Sequence, residues 1–221
     1  MGTTAIPEPP KGALIALLHS LAHDLAQPLT TIHCFLELAG RHKPTAASSA
    51  TELSNAALQI DRAIAIAKGV SALTRENPAA NSPSVSLDGL LDEIFENFGV
   101  LTHTGFLTLE RLDTAGVQIS GNPALRQGLI IVITKLAGQS TSPIKVTVAV
   151  DQTEGQFFLD FSWRANDDAR IRAQTAEAIF GGDQSLLREL LQEAGAELAE
   201  CGSVTALSIS ARPHPRKPML S

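Results

Sequence analysis

Two long stretches in the first third of the chain repeat apolar residues at helical spacing, and a polar break separates them. Over residues 11–42 the apolar positions are Leu14, Leu18, Leu21, Leu25, Ile32, Phe35 or Leu36, and Ala39. The steps are three and four residues apart from one gap at Pro28, which predicts a long amphipathic helix. Gly40, Pro44 and the small residues that follow interrupt the pattern. It resumes with Leu53, Ala57, Ile60, Ile64, Ala67, Val70 and Leu73. Residues 11–78 are therefore expected to form an antiparallel helical hairpin. Each helix would be roughly 40 Å long at 1.5 Å per residue, and a lone hairpin cannot enclose an apolar stripe of that length. Pairing with a second hairpin would enclose it, giving a homodimer built on a four-helix bundle. The alternative is a hairpin covered by the chain's own C-terminal part.

From residue 84 to about 212 the pattern is mixed α and β. A helix is expected over 87–101, and a strand over 106–112, where apolar and polar residues alternate. Asn122 is placed to cap a helix over 123–136 that opens on Pro123. Strands follow over 144–150 and 157–163, then a helix over 167–179, a break at Gly181 and Gly182, a helix over 184–194, and strands over 196–201 and 205–211. The whole is an α+β chain: a helical hairpin followed by an α/β sandwich. Residues 1–10 and 213–221 are expected to be disordered.

Composition excludes several classes. A formal charge of -6 over 221 residues offers no basic stripe for a nucleic acid backbone. Cys34 and Cys201 are the only cysteines and lack metal-type spacing, which fits free thiols in a reducing compartment. No stretch approaches the roughly 20 apolar residues that span a bilayer, and the first ten residues lack an export pattern. A cytoplasmic protein without membrane contact is the expectation.

His23 is the residue with chemical promise. It lies two positions from both Leu21 and Leu25, more than half a helical turn off the apolar stripe, so it faces outward among Ala22, Ala26, Gln27 and Thr30. An imidazole is largely neutral near neutral pH, with a ring nitrogen free to attack phosphorus. Asp24 is placed to accept a hydrogen bond from the other nitrogen, and Gln27, one turn on, to orient a water or phosphoryl oxygens. Pro28 removes one helical hydrogen bond just beyond the site and is a candidate bend. His19 and His23, four residues apart, also have the spacing of metal ligands, but no Glu stands between them as in the metalloprotease pattern.

The run His23-Asp24-Leu25-Ala26-Gln27-Pro28-Leu29-Thr30-Thr31-Ile32 resembles the phosphoacceptor box of sensor histidine kinases. The likeness continues in Ser86-Leu87-Asp88-Gly89-Leu90-Leu91-Asp92-Glu93, similar to the opening of their catalytic domain. Gly121-Asn122-Pro123-Ala124-Leu125-Arg126-Gln127-Gly128-Leu129 resembles the start of their nucleotide-binding helix. Residues 186–200 and 205–211 resemble the last helix and closing strands. The nucleotide chemistry is different. The two positions where that family places asparagines, one of them a magnesium ligand, are Ile131 and Lys135, and an isoleucine cannot ligate a cation that demands oxygen. The adenine-reading Asp-x-Gly-x-Gly box is replaced by Phe161-Ser162-Trp163-Arg164-Ala165-Asn166. The glycine-rich lid is reduced to Gly181-Gly182-Asp183, which reads as a helix-start turn.

A stem with a phosphoacceptor box beside a kinase-like domain without a nucleotide site resembles the histidine phosphotransferases of multistep phosphorelays, including the ChpT type and the sporulation phosphotransferase. The resemblance implies His23 as phosphoacceptor, Asp24 orienting it and Gln27 assisting. It implies response-regulator receiver domains as partners, a sensor histidine kinase as a further one, no cofactor of its own, and magnesium only on the receiver. The competing reading is a pseudokinase that binds or sequesters a sensor kinase or a response regulator, with His23 inherited and idle. A third is a receiver phosphatase in which Gln27 places the water.

Overall fold

The computed structural model describes residues 11–41, 46–75, 84–119, 121–139, 143–153, 156–165, 180–200 and 206–211, with backbone alone at 11, 40–41, 46–50, 139, 151–165 and 197–211. The segments expected to be disordered at either end, and the helix expected over 167–179, lie outside the described residues.

Helices α1 (Lys11–Arg41) and α2 (Ala46–Thr74) form the hairpin that the periodicity predicts. α1 passes through Pro28 as one uninterrupted helix. The apolar face of α1 is turned by one position from the expected stripe. Ala13, Leu17, Leu21 and, further along, Pro28 are buried, while Leu14, Leu18 and Leu25 lie half-buried at its border. The cause is tertiary. Near the open end of the hairpin α1 is pressed from two sides, by α2 and by the C-terminal domain of the same chain. Ala65, Ile66, Ala72 and Leu73 of α2 are buried in the same core. Towards the hairpin tip the cover thins: Ile32 and Phe35 are half-buried, and Leu29, Leu36, Leu53 and Ile60 are exposed.

The C-terminal domain begins with β1 (Val85–Ser86) and α3 (Leu87–Glu96), whose first turn is capped by the Ser86 hydroxyl accepting from the Gly89 amide. The helix expected over 87–101 is two. α3 stops at Glu96, where the Asn97 amide group donates to the Glu93 carbonyl at 2.8 Å, and α4 (Gly99–His103) restarts beyond Phe98. β2 (Leu107–Leu112) follows, then β3 (Gln118–Ile119), which pairs antiparallel with β1. α5 (Pro123–Gln139) starts as expected: the Asn122 side-chain oxygen accepts from the Ala124 amide at 2.8 Å, and Pro123 occupies the first position, where no amide donor is needed.

β4 (Ile144–Thr153), β5 (Gln156–Ala165), α6 (Asp183–Glu193), β6 (Ala196–Glu200) and β7 (Ala206–Ala211) complete the order. The sheet runs β2-β4-β5-β7-β6, parallel between β2 and β4 and antiparallel elsewhere. Ile144, Val146, Val148 and Val150 alternate on β4 and send their side chains into the core. α5 is apolar almost all round because it is buried: α2, α3 and α6 pack against it, and its side chains share one core with those of β4.

The hairpin and the domain meet along α2 and α5, which run antiparallel and pack closely on small residues. A methyl group at Gly69 would fall 1.9 Å from the Thr134 hydroxyl, and one at Gly138 would fall 2.9 Å from Ile66. Arg62 of α2 donates from Nε to the Gly138 carbonyl at 2.6 Å, at the last turn of α5. At the other end buried Arg126 donates to the Ala72 carbonyl at 3.2 Å and pairs with Glu93 at 2.7 Å. Among the described residues no helix is long and apolar enough to cross a membrane.

Candidate functional site

The site is built on the middle of α1, where its buried face gives way to its open one. His23 stands outward with 86% of its side chain exposed, as its phase relative to Leu21 and Leu25 requires. Ala22, Ala26, Gln27 and Thr30 are exposed around it, so only small or polar groups border the imidazole. The Thr30 hydroxyl donates to the Ala26 carbonyl at 2.8 Å, and the Thr31 hydroxyl to the Gln27 carbonyl at 3.0 Å. Both threonines are tied to the helix backbone one turn past the histidine.

Asp24 does not make the hydrogen bond expected of it. Its Oδ1 lies 4.0 Å from Nδ1 of His23, too far for such a bond and near enough for its field to act on the ring. The reason is a stronger partner on the other side. Asp24 turns inward, 17% exposed, and its Oδ2 pairs with the Lys135 ammonium at 2.5 Å. Lys135 rises from α5 and is only 4% exposed. It is balanced by a second carboxylate, Asp183 at the start of α6, at 2.6 Å. It also donates to the Ser20 hydroxyl at 2.8 Å, and Ser20 in turn donates to Asp183. A buried ammonium without such partners would be strongly destabilising, so the cluster is bound together as a unit. α2 contributes Arg62 on the same side. Burial pushes its guanidinium below the ordinary arginine range, and the negative charge of Asp24 opposes that shift.

Each residue singled out in the sequence now has a place. His23, Asp24 and Gln27 lie within about one turn of α1, with His23 and Gln27 open and Asp24 held inward. Ile131 is fully buried in the core of α5. Lys135, read in the sequence as a replaced asparagine, reaches Asp24 in the run around His23. No sequence signal links Lys135 to Asp24, which are 111 positions apart. Gly181 and Gly182 form the turn before α6, and Asp183 is the acid that closes the cluster. β5 contains the Trp163 segment; its side chains lie outside the described residues. His19 is exposed one turn before His23, and among the described residues no group of three or more His, Cys, Asp or Glu side chains could hold a metal ion.

No protein-family model matches the chain, and no curated protein is similar enough to it in sequence to count as a relative. Among solved structures it is similar to one described as a bacterial phosphotransferase, with 15% identity over 94% of this chain and 99% of that one and a TM-score of 0.51. Two others are the histidine kinase AdeS of Acinetobacter baumannii, at 15% identity over 86% of this chain and 98% of that one with a TM-score of 0.44, and histidine kinase ThkA in complex with the response regulator TrrA, at 12% identity over 90% and 61% with a TM-score of 0.47. The first likeness runs nearly end to end through both chains. It establishes the fold, a helical hairpin followed by a kinase-type α/β domain.

Proposed function

We propose that this chain is a histidine phosphotransferase of a two-component phosphorelay, carrying phosphoryl groups between receiver domains on His23. One observation carries the reading: an outward imidazole on a phosphotransferase-type hairpin, beside a domain whose nucleotide-binding positions serve other ends. Ile131 fills the core, and Lys135 is drawn into ion pairs with the stem.

The chemistry asks little of the protein. Asp24 lies on the Nδ1 side of the ring, which leaves Nε2 for attack. The Nε2 lone pair bonds to the phosphorus of a receiver's aspartyl phosphate, the bond from phosphorus to the aspartyl oxygen breaks, and the carboxylate leaves with its electron pair. The ring holds its Nδ1 proton and carries positive charge, facing Asp24. The reverse sequence delivers the group to a second receiver. Such transfers depend on in-line positioning and on neutralising the phosphoryl oxygens, and magnesium on the receiver supplies the latter. Gln27, exposed one turn away, is placed to touch the phosphoryl oxygens or the receiver. The uncovered tip of the hairpin is where a second copy of the chain would complete a four-helix bundle.

The deciding experiment uses the purified chain and phosphorylated receivers from its own genome. Label is expected to move to the chain, and His23→Ala to abolish it. No transfer with any cognate receiver would sink the proposal, and phosphohistidine formed from ATP and magnesium would recast the chain as a kinase. Full biological activity of the His23→Ala variant would favour the binding-only reading instead.

A further inference from the structure

The geometry points to Lys135 as a positioning residue for phosphoryl transfer at His23, acting through Asp24 from the other domain of the chain. The inference rests on the proposed role of His23 and adds the device that prepares it. Asp24 and Asp183 each place an oxygen within 2.6 Å of the same ammonium, so their carboxylates are close neighbours bridged by the lysine. Asp24 sits beside the imidazole and is mostly withdrawn from water, so its direction depends on what holds it. Lys135 holds Oδ2, and Oδ1 is the oxygen left on the ring's side.

The groups that face Asp24 from each packed element fit this role. Lys135 comes from α5, Asp183 from α6 through that lysine, Ser20 from one turn earlier on α1, and Arg62 from α2 through its field. Lys135 is the cation in direct contact. Without it two mostly buried carboxylates would face each other with their bridging cation gone, and mutual repulsion would turn Asp24 away. Asp24 would then lose its aim, at the moment when the attacking ring becomes positive.

Lys135 also differs from an ordinary structural salt bridge in where it sends its effect. The residue belongs to the helix that in the resembling kinases serves the nucleotide, and here the same helix supports the acceptor. The domain would thus contribute to transfer without touching the phosphoryl group.

The test uses the full chain with potassium phosphoramidate as a small phosphodonor, so that no receiver contact enters the rate. Nε2 of His23 attacks phosphorus, the phosphorus–nitrogen bond breaks and ammonia departs; phosphohistidine is followed by ³¹P NMR and located by mass spectrometry. Lys135→Met is expected to slow labelling of His23 at least 10-fold, and Lys135→Arg to keep it within about 3-fold of the wild-type rate. In the Asp24→Asn background Lys135→Met is expected to change the rate less than 2-fold, because the lysine acts through that carboxylate. Gly69→Ala, which strains the α2–α5 contact at Thr134 and touches none of the Lys135 cluster, is the control for loosened docking and is expected to label within about 2-fold. Equal loss in Lys135→Met and Gly69→Ala would overturn the inference, as would an undiminished Lys135→Met or a further loss in the double variant. Absence of labelling in the wild-type chain, from phosphoramidate and receivers alike, would instead overturn the phosphotransferase reading.

Discussion

Gly69 of α2 and Thr134 of α5 touch so closely that a methyl group on the glycine would stand 1.9 Å from the threonine hydroxyl. Thr134 is fully buried and its hydroxyl is already committed to the Ile130 carbonyl at 2.6 Å, so it has little room to turn. This contact sets how near the hairpin and the domain can come, and it sits between the Arg62 tie at one end of α5 and the Arg126 tie at the other.

Gly69→Ala should therefore destabilise the protein despite the better helix propensity of alanine. Propensity favours the substitution by about 1 kcal/mol, and overpacking opposes it by about 1–3 kcal/mol or more. A net loss of about 1–2 kcal/mol is expected in urea unfolding. Thr134→Ala combined with Gly69→Ala should recover part of it, since the hydroxyl and methyl that collide are then gone. A Gly69→Ala protein as stable as the wild type would mean that the two helices are not in this contact.

Ile131 supports a second expectation, on the cost of turning the domain back towards a nucleotide site. The side chain is fully buried among other apolar residues of the core. Ile131→Asn would place an amide there without partners, at a penalty of about 2–4 kcal/mol from lost burial and an unsatisfied polar group together. The variant should unfold at lower urea and still yield no phosphohistidine from ATP. Wild-type stability in Ile131→Asn would show that the position opens to water.

How far the sequence speaks depends on the distance over which a signal acts. The hairpin was legible because thirty residues of period-3.6 patterning cannot be confused with a strand, and the start of α5 because Asn122 and Pro123 are local cues. β1 and β3 were not legible, being two residues each, too short for any alternation to register. The break between α3 and α4 comes at Asn97 and Phe98, just before Gly99. The outward turn of His23 could be read from its neighbours. The inward turn of Asp24 could not, since it is decided by Lys135, which arrives from another domain. For the same reason the buried face of α1 is rotated from the stripe its own periodicity marks: periodicity records that a face is apolar, not which neighbours press on it.

Asp61 on α2 yields a signed pH dependence. Burial raises its carboxyl above the ordinary aspartate range, so the folded protein binds this proton more tightly than the unfolded chain. The ionised form thus carries a penalty above the folded pKa, and the penalty fades as pH falls towards the unfolded value of about 3.9. Asp61→Asn should be slightly more stable than wild type at pH 7, with the advantage gone by about pH 3.5. Glu110 has the opposite sign. The Lys145 ammonium at 2.9 Å and then the Thr147 hydroxyl at 3.1 Å lower its carboxyl, so its contribution is present above the unfolded pKa and lost as pH falls through the folded one. Thermal unfolding across pH 3–7 on Asp61→Asn and Glu110→Gln should show curves that diverge from wild type in opposite directions at neutral pH.

The exposed tip of the hairpin supports the remaining expectation, on assembly. Leu29 and Leu36 lie seven residues apart on α1, and Leu53 and Ile60 seven apart on α2, the step that keeps side chains on one seam of a bundle. Leu36 is 68% and Leu53 70% exposed. Burying a leucine is worth about 2 kcal/mol, and two hairpins meeting would bury this set twice, enough to hold a dimer once the entropy of association is met. Sedimentation velocity at micromolar concentration is expected to show a dimer. Leu36→Glu with Leu53→Glu should shift it to monomer, weakening association at least about 100-fold, because charges would then sit in the dry seam. The domain core lies apart from that seam, so the monomeric variant should keep its fold and its Lys135–Asp24 pair. A wild-type chain that sediments as a monomer would rule out the four-helix assembly and leave the tip as open surface for a receiver alone.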